Sequence, residues 1–95
     1  MTPNAEIPPL PLRTRLQAVD PARNIARDYV IEASPDLFGQ WIVTLFWGRI
    51  GTLGQSRALS FAEQAGAACF VRTTLTRRAS SRRRIGVDYR VVASA

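Results

Sequence analysis

The sequence predicts an α+β domain: an antiparallel β-sheet of about five strands with one α-helix packed on one face, in the order β-β-β-β-α-β. Three observations carry this. Residues 13–19, 25–33 and 40–50 alternate or run apolar as strands do. Short breaks built from Pro, Gly, Ser and Asp separate them. A single alanine-rich stretch, from Ser60 to about Arg77, has helical character.

Residues 1–12 hold Pro3, Pro8, Pro9 and Pro11. Proline has no amide donor and a fixed φ, so this segment reads as a proline-rich arm, disordered or loosely docked, and IPPLPL also suits a polyproline ligand. Residues 13–95 read as one domain. In its first strand Arg13, Arg15 and Gln17 alternate with Thr14, Leu16 and Ala18. Asp20-Pro21 makes a turn. A second strand, Ile25 to Ala33, sets Tyr29, Ile31 and Ala33 against Asp28, Val30 and Glu32, and Ser34-Pro35-Asp36 ends it.

Leu37 and Phe38 are apolar residues inside a turn and are expected to fold back over a core edge before Gly39. Gln40 to Ile50 is rich in strand formers and should be central in the sheet. Alternation puts Trp41, Val43, Leu45, Trp47 and Arg49 on one face, and Ile42, Thr44, Phe46, Gly48 and Ile50 on the other. Gly51 to Gly54 turns the chain, and Gln55 to Ser60 returns antiparallel. Ser60 and Glu63 have capping-box spacing and should open the helix. Ala62, Ala65, Gly66, Cys69, Phe70, Thr73 and Thr76 share one arc, which predicts a small-residue face against the sheet with Cys69 packed in it. Arg77, Arg78, Arg82, Arg83 and Arg84 suit the negative end of the helix dipole. Ile85, Val87, Tyr89 and Val91 alternate as a final strand.

Composition narrows the function classes. A chain of 95 residues buries only about 60–65% of its unfolded surface, so the core is modest. No run approaches the roughly 18 apolar residues of a membrane helix, and the N-terminus lacks the charge pattern of a secretory signal. One cysteine and no histidine give no internal disulfide and no metal site. An intracellular, cytoplasmic chain without a metal or cofactor is expected. The carboxylates Glu6, Asp20, Asp28, Glu32, Asp36, Glu63 and Asp88 are scattered, which points away from acid–base catalysis and from a small-molecule substrate. Thirteen basic residues, all Arg, stand against seven acidic ones for a net charge of +6. Such a balance suggests a nucleic-acid partner first and an acidic protein second, with no membrane partner.

DLFGQWIVTLFWGRIGTLGQ at 36–55, with DPARN at 20–24, Tyr29, Ala65 and GVDY at 86–89, resembles the WGR domain, named for its Trp-Gly-Arg. The likeness spans roughly residues 13–93 and is similar to that of small bacterial members. The resemblance implies an antiparallel sheet crossed by a helix, and DNA binding of the kind seen in poly(ADP-ribose) polymerases, where the motif's Trp packs near a strand end and its Arg joins domains and DNA. Carried over, Trp47 stacks on nucleic acid and Arg49 contacts phosphate or a partner. Leu45 stands where small members often carry an Arg, and RRRIGVDY replaces a more compact basic ending.

The candidate nucleic-acid-binding set is therefore Trp47, Gly48 and Arg49 with Arg57, Arg13 and Arg15 on other strands, and Arg77, Arg78, Arg82, Arg83 and Arg84 after the helix. Each has a plainer reading. An intact pleat buries Trp47, while a bulge or close approach at Gly48 brings it to the rim. Arg49 pairs with Asp28 or Glu32, or joins a positive patch. The run from 77 to 84 is a solvated loop or a phosphate contact. No recognition-helix pattern or Asn/Gln pair suits base readout, so binding to ends or nicks is expected over sequence reading. The rival is a protein-interaction adaptor using Leu45, Phe46 and the proline arm.

Overall fold

The computed structural model describes residues 10–80 and 86–94. Four strands run as an antiparallel meander: β1 (Leu12–Asp20), β2 (Ile25–Pro35), β3 (Trp41–Arg49) and β4 (Gln55–Phe61). Helix α1 (Gln64–Ala79) then crosses one face, and β5 (Arg90–Ser94) pairs antiparallel with β1. The five strands lie in the order β4-β3-β2-β1-β5, so β2 is the middle strand and β3 is flanked on both sides. Fold class and element order are as the sequence predicts.

The two periodicities explain the core. Tyr29, Ile31 and Ala33 of β2 pair in register with Trp47, Leu45 and Val43 of β3, so these side chains share the face that α1 covers. Leu12, Thr14, Leu16 and Ala18 extend the same buried layer on β1. Ile31, Val43 and Val71 are fully buried, and each such side chain contributes about 1.5–3 kcal/mol by leaving water. On the outer face Val30 lies between Arg15 and Phe46 in the ladders and is almost wholly buried. Long arginine stems cover apolar neighbours in this way.

The helix departs from expectation in its start and its face. Ser60 is no cap. It pairs with Ile42 in the β3–β4 ladder, and its hydroxyl donates to Gln40 Oε1 at 3.1 Å. The strand continues to Phe61 because that ring stacks against Phe70, 5.6 Å between centroids, and so ties β4 to the helix. Glu63 becomes the N-cap in extended backbone, without a side-chain cap bond. The buried positions are Ala67 and Val71, with Phe70 and Leu75 partly buried; Ala62, Ala65, Gly66, Cys69, Thr73 and Thr76 are exposed. An alanine- and threonine-rich helix has no strong apolar stripe, and the rotation is set by Phe61 and Val71.

Three smaller corrections follow the same logic. Ser34 and Pro35 do not break β2: both pair with β3, Pro35 opposite Trp41. Leu37 and Phe38 do not fold back but stand 96% and 87% exposed. Asp36 Oδ1 accepts from the amides of both Phe38 and Gln40, at 2.8 and 2.9 Å, and this Asx turn holds the loop outward. The last strand begins at Arg90, and Ile85 lies outside the described residues. Residues 1–9 of the proline-rich arm also lie outside them; Leu10 packs against the core and Leu12 opens β1.

Two contacts hold the end of the sheet where the site will lie. At the β3–β4 hairpin a Cβ on Gly48 would sit 2.7 Å from Gly54 Cα, and a Cβ on Gly54 would meet the Trp47 carbonyl oxygen. Gly54 also has φ +68, which L side chains adopt at a cost. Gly48 therefore serves close approach and not a bulge, since the β2–β3 register runs unbroken through Asp28↔Gly48 and Arg27↔Arg49. At the β1–β2 turn Arg23 donates from Nε to Asp20 at 2.8 Å and from Nη2 to the Gly86 carbonyl at 2.6 Å, tying the return segment to the turn.

Gly54→Ala should cost about 2 kcal/mol or more in urea unfolding, combining roughly 1–2 kcal/mol for the left-handed backbone with the clash at Trp47. Replacing Leu37 and Phe38 by Ser should change stability by less than about 0.5 kcal/mol each, because neither packs on the core. The hydrogen bond and charge of Arg23 lower the Asp20 pKa below the ordinary carboxylate value. Its folded-state pKa being depressed, its stabilising contribution is complete above roughly pH 4 and is lost as the pH falls through the lowered value. Thermal unfolding of the wild type should therefore show an acid-side loss that Asp20→Asn lacks.

Candidate functional site

The rim at the hairpin end gathers side chains from β2, β3, β4, α1 and the segments that precede β2 and β5. Trp47 is the last residue of β3 to pair with β4, opposite Gln55, and it faces the helix side beyond Leu45. It is 37% exposed, so it is a rim residue resting on the core with part of its ring open to solvent. The alternation of β3 survives intact; α1 ends near Tyr29, and that is what leaves Trp47 uncovered. Leu45, the position where an Arg was a possibility, is a core residue.

Trp47 borders two depressions on this side. One is lined by Tyr29, Leu45, Trp47, Arg57 and Arg78. The other includes Asn24, Arg27, Trp47, Arg49, Arg78 and Tyr89. Arg78 belongs to both. Its guanidinium lies 4.8 Å from the Tyr29 ring centroid and 5.8 Å from that of Tyr89, and the two rings meet edge to face at 6.3 Å. Each such cation–π contact contributes roughly 0.5–2 kcal/mol. Burial raises the Tyr29 pKa, with the Arg78 charge acting against it, so the phenol stays neutral at physiological pH.

The arginines divide by their partners. Arg13 pairs with Glu32 at 2.7 Å and Arg15 with Asp28 at 3.2 Å, both across β1–β2 on the outer face. Gln17 also donates to Asp28, at 3.4 Å. Arg23 pairs with Asp20. Arg49 takes neither Asp28 nor Glu32. Its Nη1 donates to the Asn24 carbonyl at 3.2 Å and its Nη2 to Asn24 Oδ1 at 2.9 Å. Arg27 stands directly opposite Arg49 in the ladder. Among the described residues the side chains of Arg27 and Arg57 make no hydrogen bond or ion pair.

Of the residues expected from sequence, Trp47, Gly48, Arg49, Arg57 and Arg78 come together at this rim. Arg13 and Arg15 line a further depression with Phe46, Leu53, Asp28 and Glu32, which Trp47, Gly48 and Arg49 also border. Arg77 is exposed in the last turn of α1. Arg82, Arg83 and Arg84 lie outside the described residues. Sequence reasoning passed over Arg27, Asn24, Tyr29 and Tyr89 as parts of this site. Alternation places Arg27 on the Tyr29 face, and that signal was available; its position opposite Arg49 needed the register.

Among the described residues no group of three or more His, Cys, Asp or Glu could hold a metal ion, and no helix is long and apolar enough to cross a membrane.

Comparison with known proteins fits this geometry. The uncharacterized protein y4dW of Sinorhizobium fredii is 40% identical over 57 residues, covering 60% of this chain and 28% of that protein. This chain thus matches less than a third of its relative's length. The sequence pattern that defines the WGR domain matches residues 12–82, from the first residue of β1 to beyond the end of α1, with the Trp47-Gly48-Arg49 rim inside it. WGR domains are generally nucleic-acid-binding modules. With most of its length inside that match, the chain belongs to the WGR domain family.

Proposed function

We propose that this chain binds nucleic acid, with DNA preferred, at ends or nicks and without reading base sequence. One observation carries the reading: a partly exposed Trp47 sits among Arg27, Arg49, Arg57 and Arg78, none of which pairs with a carboxylate among the described residues. An open aromatic ring offers stacking to a terminal base or sugar, while unneutralised guanidiniums attract phosphate. A strand end exposes the flat face that such a ring needs; an intact duplex does not. Among the described residues the rim carries no groove-reading helix, which favours recognition of shape.

A protein-interaction adaptor is the second reading. It rests on Leu37 and Phe38, held outward on a rigid turn at the far end of the sheet from Trp47. Two large apolar side chains so exposed suit an apolar pocket on another protein.

Binding to nicked, blunt and intact duplexes across a salt series separates the two. Four phosphate contacts would give a log–log salt slope of about −3.6. Trp47→Ala should remain folded and lose roughly 5- to 150-fold affinity for nicks and ends, the range for one stacked base, with little change on intact duplex. Absence of binding near 50 mM salt, where affinity should be greatest, sinks the nucleic-acid reading.

A further inference from the structure

We propose that Asn24 is a positioning residue for Arg49: it grips the guanidinium from two sides without cancelling its charge. The inference rests on the nucleic-acid reading and says how this site keeps its motif arginine ready.

The local geometry leaves little choice of residue. Asn24 closes the 3-10 turn Pro21–Arg23 with φ 57 and ψ 40, and its amide donates to the Pro21 carbonyl at 3.1 Å. This left-handed conformation is tolerated by Gly, and by Asn or Asp above other L residues. The grip needs two acceptors, the backbone carbonyl and a side-chain oxygen, at 3.2 and 2.9 Å from the two terminal nitrogens of Arg49. Gly lacks the second acceptor. Asp has it, but its charge would neutralise the guanidinium. Only Asn meets the backbone requirement, supplies the acceptor and leaves the cation uncompensated.

The contrast with the other arginines gives this weight. Arg13, Arg15 and Arg23 each bind a carboxylate, the partner expected where an arginine holds a fold together. Arg49 faces a like charge, Arg27, directly across the ladder and still receives a neutral partner. Like charges opposite one another are unfavourable in a sheet. A carboxylate at position 24 would relieve that repulsion; an amide preserves it. The remaining donors of the guanidinium stay available, since the two bonds to Asn24 use only part of its fork.

A double-mutant cycle on nicked duplex tests this, using wild type, Asn24→Gly, Asn24→Asp, Arg49→Ala and Asn24→Gly/Arg49→Ala. Asn24→Gly keeps the turn and should weaken binding roughly 2- to 12-fold, the effect of freeing one ordered side chain. Its salt slope should match wild type because the charge is still there, whereas Arg49→Ala should reduce the slope by about 1. In the Arg49→Ala background Asn24→Gly should have no further effect. Asn24→Asp should keep or raise the melting temperature while weakening binding more than Asn24→Gly does. Equal losses from Asn24→Gly in both backgrounds, or no loss in either, overturn the proposal. Nitrogen-detected NMR of the Arg49 side chain gives a readout without DNA: slow guanidinium rotation in wild type and averaging in Asn24→Gly support the grip, and averaging in both refutes it. Wild-type protein that binds no duplex but shows slow rotation would defeat the binding reading and leave Asn24 as a structural clamp alone, which overturns the positioning role.

Discussion

Backbone meets backbone where Gly48 faces Gly54, and the aim of the rim follows from that contact. Any side chain at either position would push the β3–β4 hairpin open. With both glycines in place, Thr52 closes the turn by donating from its amide and hydroxyl to the Arg49 carbonyl, at 3.0 and 2.7 Å. The Ile50 amide, bonded to the Ala26 carbonyl at 2.9 Å, pins the end of β3 to β2. The β2–β3 register is thereby fixed to its last pair, and a slip of one residue would send Trp47 to the outer face. Tyr29 opposite Trp47, and Arg27 opposite Arg49, are consequences of a constraint that lies in the main chain.

Much of the fold was legible in the sequence because its signals were local. Period-2 alternation located β1 and β2 and assigned their faces correctly, down to Thr14, Leu16 and Ala18 inside and Arg13 and Arg15 outside. The helix was harder. Its small residues fit several arcs almost equally well, and the contact that chose between them, Phe61 against Phe70, joins it to a neighbouring strand. The capping-box spacing at Ser60 and Glu63 misled for the same reason: a strand ladder outbid a local hydrogen-bond motif. Leu37 and Phe38 show the limit of hydrophobicity itself, since an Asx turn decides where they point.

The site was legible in part. The motif named Trp47, Gly48 and Arg49, and the basic residue counts suggested a positive surface. How charge is distributed over that surface depended on pairing across strands. Of the arginines grouped by sequence, Arg13 and Arg15 are held by Glu32 and Asp28, while Arg57 has no carboxylate partner among the described residues and Arg78 leans on two aromatic rings. A net charge of +6 conceals that division. Exposed ion pairs contribute only about 0–1 kcal/mol each, so their effect here is to localise positive potential at the Trp47 rim more than to stabilise the sheet.

The strand order has a consequence for attachment. Because β5 returns beside β1, Leu12 and Ser94 emerge at the same end of the sheet as Pro35 and Trp41, a full strand length from Trp47. Polypeptide fused to either side would leave the arginine-lined rim unobstructed. In such a layout the ends of the sheet are specialised, one for chain entry and exit and the other for the arginine-lined tip.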